Sequence, residues 1–181
     1  MPTRQPKDFV FAFWLDPAER ARAFFHATIA RLAREFDAAR FEPHVTLGLL
    51  DMSVRLPPLV AAGPIRLRPV GIFASATFTK TLFVRFARTS ALEHLRQSLG
   101  LYDRQYDPHL SLLYRTLPME HKRRLAESIS LPFSTVTFDK ISIVRCTNPT
   151  RTRADVEAWE YLRSNKLQRG AIEKRSSRRG K

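Results

Sequence analysis

Hydrophobic and polar positions follow two rhythms along this chain, one with the period of a strand and one with the period of a helix. Residues 9–15 form a continuous apolar and aromatic run of strand length. Asp16-Pro17-Ala18-Glu19 then supplies an N-cap acid, a first-turn proline and a capping-box glutamate. The predicted helix covers residues 17–36, because Phe25, Ile29, Leu32 and Phe36 fall on one stripe while Arg20, Arg31 and Arg34 lie off it. Such a helix covers one face of a sheet. Residues 44–50 read as a strand, and a proline-rich connection over 56–64 leads to 65–70, where apolar and basic positions alternate. Residues 73–78 and 82–87 predict two strands around Thr79-Lys80-Thr81. Ser90-Ala91-Leu92-Glu93 is a second capping box, Leu92, Leu95 and Leu99 make an apolar stripe, and Gly100 supplies the stop.

The second half repeats the order. Residues 109–114 predict a strand, 118–129 a helix, 133–138 and 140–146 two strands, and 156–162 one more. Helices interrupt antiparallel-type pairs without alternating strictly with single strands, so the class is α+β. A helix precedes a histidine-bearing strand in each half, although the halves share little other sequence. With 181 residues the chain suits a single domain, expected over 1–162. From Arg163 to the terminal Lys181 the composition turns basic and poor in apolar residues, which predicts a disordered tail.

Charge sharpens this picture. Lys and Arg outnumber Asp and Glu by 31 to 17, a net charge of +14, and residues 163–181 carry +7 of it with eight basic residues against Glu173. The excess favours anionic partners, and the tail is a candidate RNA contact. The single cysteine, Cys146, cannot form an internal disulfide and is expected to be a small buried side chain. No apolar run reaches the roughly 20 residues of a membrane span, and the start shows no secretory pattern, so a cytoplasmic monomer is the expectation.

The chemistry concentrates in a repeated pentapeptide. Pro43-His44-Val45-Thr46-Leu47 and Pro108-His109-Leu110-Ser111-Leu112 place their histidines 65 positions apart, each after an acid, Glu42 or Asp107. On a strand, residues two apart share a face, so each motif presents an imidazole with a hydroxyl while Val45, Leu47, Leu110 and Leu112 turn away. Two such strands brought together suit a phosphodiester attacked by water. One neutral imidazole takes the water proton and the other, as imidazolium, protonates the leaving ribose oxygen. Histidine serves both roles because its pKa lies near 6.5. We assign the base role to His109 and the acid role to His44. Thr46 and Ser111 would donate to the non-bridging phosphate oxygens. The scheme calls for no metal and no cofactor, and the sequence holds no His-x-x-x-His or cysteine cage.

The paired His-x-Thr and His-x-Ser motifs with apolar flanks resemble the 2H phosphoesterases, and residues 41–47 look especially like the cyclic nucleotide phosphodiesterase branch. The resemblance spans about residues 9–162 and includes the early strand 11–17 and Tyr114. It implies two pseudo-symmetric lobes, antiparallel sheets with flanking helices around a central cleft, each lobe giving one histidine motif. It also implies hydrolysis of a ribose 2′,3′-cyclic phosphate on a nucleotide, an ADP-ribose derivative or an RNA end. In that branch a tyrosine placed like Tyr114 approaches the phosphate. Strand parity opposes this, since Tyr114 shares the face of Leu110 and Leu112 unless a bulge or the strand end redirects it. By resemblance and neighbourhood, Trp14 and Phe78 are candidates to stack on a base and Lys80 to meet a phosphate.

Three histidines fall outside the scheme. His26-Ala27-Thr28 repeats the triplet inside the first predicted helix, where residues two apart point about 200° from each other. His94 and His121, beside Arg96, Lys122 and Arg123, read as solvated helix residues. The competing reading is a basic RNA-binding or RNA-end-processing protein whose histidine strands are silent or serve ligation.

Overall fold

A computed structural model describes residues 8–53, 55 and 62–168. Strand β1 (Asp8–Pro17) leads into helix α1 (Glu19–Glu35), and β2 (Val45–Asp51) follows the first histidine. Strands β3 (Ile65–Leu67) and β4 (Pro69–Ala74) precede a 3-10 turn at Phe78–Lys80 and β5 (Leu82–Phe86). Then come α2 (Ser90–Ser98), β6 (His109–Leu113), α3 (Met119–Ser128), β7 (Val136–Asn148), α4 (Arg153–Glu157) and β8 (Glu160–Lys166).

The strands form one antiparallel sheet in the order β3-β7-β1-β2-β6-β5-β4, with β8 also paired to β7. Its two halves meet between β2 and β6 at one registered pair, Val45 with Leu110. That narrow seam makes the fold bilobal. Val45, Leu47, Leu110 and Leu112 are buried on the core face, as period-two alternation requires. Helix α1 packs there through Phe25, Ile29 and Leu32, and each such side chain contributes about 1.5–3 kcal/mol on burial. Among the described residues no helix is long and apolar enough to cross a membrane.

Several boundaries move from the sequence expectation. Strand β1 continues through Pro17, so Asp16 is no cap; it is buried, accepting from Ser142 Oγ at 2.6 Å and facing Lys140 Nζ at 3.1 Å. Thr89 caps α2 in place of Ser90, accepting from the Leu92 N–H. Gly100 does end that helix, at φ +77°: its N–H donates to Gln97 O and the Leu101 N–H to Arg96 O. The two strands expected over 133–146 are one continuous β7, and residues 73–78 split into the end of β4 and the turn bearing Phe78.

The expected tail boundary also fails. Instead of a strand over 156–162, α4 and β8 follow β7, and β8 extends to Lys166 with Leu167 buried in the core. Pairing with β7 at Lys140–Arg145 orders a segment whose own side chains are almost all exposed, because the ladder satisfies its backbone. The rest of the basic tail, 169–181, lies outside the described residues, as does most of the 56–64 connection.

Two basic side chains on helices are buried. Lys122 Nζ donates to Ser75 O at 2.7 Å and ties α3 to the loop leading to Phe78. Arg96 is 2 % exposed, lies 3.6 Å over the Tyr106 ring, and donates through Nε to Leu47 O and through Nη1 to Glu93 and Asp103 O. It thereby joins the segments that carry both histidines. Arg96→Met is expected to lower stability by about 1–3 kcal/mol, the usual effect of orphaning a buried carbonyl, read as a lower urea midpoint.

Candidate active site

Extending the Val45–Leu110 register by one residue each way sets His44 opposite Ser111 and Thr46 opposite His109 on the cleft face of the sheet. Each histidine is held alike. His44 Nδ1–H donates to Glu42 O and His109 Nδ1–H to Asp107 O, both at 2.7 Å. A carbonyl can only accept, so these bonds fix the Nδ1–H tautomer and leave Nε2 to accept or donate at the reacting atom. Pro43 and Pro108 help by holding the preceding acid extended, which sets the direction of its carbonyl.

Each motif ends on a β-bulge. Phe13 pairs with Gly48 but Trp14 with Thr46, so Leu47 is extra on β2; Leu82 pairs with Leu113 but Phe83 with Ser111, so Leu112 is extra on β6. The bulges shift parity by one. Leu49 therefore joins Thr46 on the cleft face and Tyr114 joins His109 there, which resolves the parity objection to Tyr114. Leu47, out of the ladder, gives its carbonyl to Arg96.

His44, Thr46, His109, Tyr114, Trp14 and Phe78 line one cavity of about 480 Å³, within the size range of small-molecule sites. A second cavity of about 500 Å³, bounded by Arg96, Tyr102 and Tyr106, shares Thr46, Leu49 and His109 with the first. Thr46 and His109 thus stand where the two meet. Among the described residues no group of three His, Cys, Asp or Glu side chains converges as metal ligands would.

Burial pushes the His44 imidazole down to about 3, with the His109 ring adding to the shift. His109 is lowered as well, chiefly by burial and further by the Lys80 cation, while its bond to Asp107 O opposes this. Trp14 works the other way on His44. Its indole is stacked on the imidazole with centroids 3.6 Å apart and planes 7° apart, and an aromatic face attracts imidazolium. Trp14 therefore does not offer that face to a base, contrary to the sequence expectation.

Other expected residues are also placed differently. Ser111 Oγ is buried, donates to Thr79 O at 2.8 Å and is hydrogen-bonded with the Tyr114 hydroxyl, whose own pKa burial raises. The Tyr114 and Ser111 hydroxyls are thus engaged within the wall, whereas Thr46 opens on both cavities. Lys80 belongs to the second cavity, where its Nζ donates to Asp107 at 2.9 Å and Arg85 pairs with the same carboxylate. Phe78 does face the first cavity, with its ring 6.0 Å from Tyr114. His26 and His94 are exposed, His121 sits against Phe36, and Cys146 is buried.

Sequence reasoning missed three residues on the cavity wall. Trp159 meets Trp14, His44 and Tyr114 edge to face at 5.0, 5.8 and 5.6 Å. Arg151 is the one Lys or Arg among the described residues of that wall, and Thr147 lies at its far end. Trp159, one of two tryptophans in the chain, was a legible signal; Thr147 and Arg151 carried none.

No family model and no curated protein matches this sequence. Solved structures do match its fold. E. coli LigT complexed with 3′-AMP is 15 % identical, with 91 % of this chain and 99 % of that chain covered at a TM-score of 0.50. The protein TT0787 of Thermus thermophilus is 14 % identical, with 90 % and 100 % covered at 0.54. A phosphoesterase crystal structure is 14 % identical, with 90 % and 99 % covered at 0.50. The chain shares the fold of these structures, as the resemblance carried by the histidine motifs implied.

Proposed function

We propose that this protein is a metal-independent phosphodiesterase that opens a ribose 2′,3′-cyclic phosphate to a phosphomonoester. The observation that carries the reading is the twin Nδ1–H to carbonyl bond, which readies both Nε2 atoms on one cavity beside Thr46. His109, kept neutral by burial and by Lys80, takes a proton from water as the water oxygen bonds to phosphorus. The bond from phosphorus to one ribose oxygen breaks, and His44 as imidazolium protonates that oxygen. Burial alone denies His44 its proton, so the acid role depends on the Trp14 face and on the substrate anion, which favours a charged imidazole within about 4–6 Å.

Thr46 donates to a non-bridging oxygen. Ser111 follows by turning its hydroxyl from Thr79 O to the phosphate, because a hydrogen bond to an anion is about twice as strong as one to a neutral carbonyl. Tyr114 holds Ser111 in place. The 3′-AMP found on E. coli LigT is a phosphomonoester of the kind this reaction releases.

The test offers the full chain a 2′,3′-cyclic mononucleotide and an RNA ending in a cyclic phosphate, each with and without EDTA. Turnover of either that survives EDTA, with a bell-shaped pH dependence, is expected. Tight RNA binding with no turnover of either would replace this reading with a silent binding module, and turnover abolished by EDTA would end its metal independence.

A further inference from the structure

The carboxylate that precedes the second histidine is held by two cations, and no step of the displacement touches it. Asp107 Oδ2 accepts from Lys80 Nζ at 2.9 Å and from Arg85 Nη2 at 3.2 Å. The donors come from different elements: Lys80 ends the 3-10 turn, and Arg85 on β5 is the register partner of His109. Aromatic faces fix both cations in turn. Lys80 Nζ lies 5.5 Å from the Phe83 ring centre, and the Arg85 guanidinium lies 5.6 Å from that ring and 4.8 Å from Phe73. Phe83 is buried opposite Ser111 yet belongs to neither apolar core cluster, and its edge-to-face neighbour is His109 at 5.4 Å. The first motif carries the same arrangement, with Arg22 on α1 donating through Nε and Nη2 to Glu42 Oε2 at 3.2 and 2.7 Å.

Ion pairs near the surface contribute only about 0–1 kcal/mol to stability, so the effect to look for is on geometry. The Asp107 carbonyl accepts from His109 Nδ1 at 2.7 Å, and its direction therefore sets that of the ring. Residues 101–108 contain no strand or helix to hold this carbonyl. It is held from both sides instead. Pro108 restricts Asp107 to extended backbone, and the Pro108 carbonyl accepts from the Phe86 N–H at 2.9 Å, which fixes the next peptide. The two cations pin the Asp107 side chain. With side chain and following peptide both anchored, rotation about the Asp107 Cα–C bond is blocked, and cutting the side-chain anchor restores it.

Resting on the proposed function for the chemistry it serves, we propose that Asp107 is the positioning residue of His109, locked by Lys80 and Arg85 so that its carbonyl holds the imidazole with Nε2 toward the reacting water. The charged and titratable groups that face His109 are Asp107 before it, Lys80 on the turn, Arg85 on β5 and His44 across the seam. Asp107 raises the His109 pKa and the two cations lower it. The test measures kcat and KM against pH for a 2′,3′-cyclic mononucleotide, together with 15N NMR of the His109 ring. It compares the full chain with Asp107→Ala, Asp107→Asn, Lys80→Met and the double variant Asp107→Ala with Lys80→Met. Asp107→Ala is expected to lower maximal kcat about ten- to a hundredfold, the order of cost of misplacing a reacting group by about 1 Å, with KM within about twofold. Lys80→Met lowers kcat less, because Arg85 keeps its grip, and the double variant falls no further than Asp107→Ala. Asp107→Asn still offers an acceptor and recovers part of the loss. The acid limb of the kcat profile moves to lower pH in Asp107→Ala and to higher pH in Lys80→Met, opposed shifts that a damaged fold does not give. The ring nitrogens report the Nδ1–H tautomer in the wild type and a mixture in Asp107→Ala. Unchanged kcat in Asp107→Ala, or an unmixed Nδ1–H tautomer in it, overturns the clamp. So does a raised KM with kcat intact in Lys80→Met, which makes Lys80 a substrate contact. Should Asp107→Ala fail to fold, Asp107→Asn and Lys80→Met decide by the same readouts. The tautomer needs no substrate, so the two readings fail separately: tautomer mixing in Asp107→Ala, in a protein that hydrolyses no cyclic nucleotide, upholds the clamp and overturns the phosphodiesterase. Hydrolysis at equal kcat by the wild type and Asp107→Ala removes the clamp alone.

Discussion

Alanine in place of His44 or of His109 is expected to lower kcat/KM for a 2′,3′-cyclic nucleotide by about 10²- to 10⁴-fold, with most of the loss in kcat. Each imidazole handles one proton of a single displacement, and each is fixed by the same 2.7 Å bond to the carbonyl two residues before it. Because water attack and departure of the ribose oxygen are coupled, the double variant should fall little below the weaker single variant. His44→Ala also uncovers the Trp14 face, so His44→Gln is its companion, and circular dichroism of all variants reports whether the fold survives. Initial rates at saturating and limiting substrate make the measurement. A wild-type rate in either single variant would remove that histidine from the chemistry and with it the paired-proton mechanism.

The parts of the site that were legible in the sequence are those set by short-range geometry. Period-two alternation assigns Val45, Leu47, Leu110 and Leu112 to the core and His44, Thr46, His109 and Ser111 to the other face; the first four are buried in the core cluster, and the Val45–Leu110 pair sets the register. What followed each motif was hidden. A bulge at Leu47 or Leu112 is a decision of the partner strand, made where β1 or β5 pairs, so nothing local announces that Tyr114 crosses to the cleft.

The direction of polar side chains was hidden for the same reason. Asp16-Pro17-Ala18-Glu19 carries every residue of a helix start, yet Ser142, 126 positions away, claims the Asp16 carboxylate for the sheet. Lys80 looked available for phosphate until Asp107, 27 positions on, took it. Arg96 and Lys122 sit in helices among other charges, and only long-range carbonyls, Leu47 O and Ser75 O, explain their burial. Ser164 to Lys166 lacks apolar residues, but an edge strand needs a ladder more than a core, and β7 provides it.

Acid is expected to destabilise the fold through His44. In the folded chain its pKa is about 3, against about 6.5 when it is unfolded and solvated. Between those values the unfolded chain binds a proton that the folded chain refuses, so stability is full above about pH 6.5 and falls as the pH drops toward 3. Each pH unit well inside that window removes about 1.4 kcal/mol, and lowering the pH from 7 to 5 should remove about 2 kcal/mol through His44 alone. His109, lowered in the same direction, adds to the loss. Against a typical total of about 5–15 kcal/mol this is a visible shift in urea midpoint. His44→Gln cannot take up the proton, so its midpoint should drop distinctly less between pH 7 and 5 than that of the wild type. Equal drops would mean that His44 is solvated and free to charge in the folded protein. In that case neither the Trp14 stack nor the substrate anion would be needed to protonate it, and the acid role would rest on an ordinary surface imidazole.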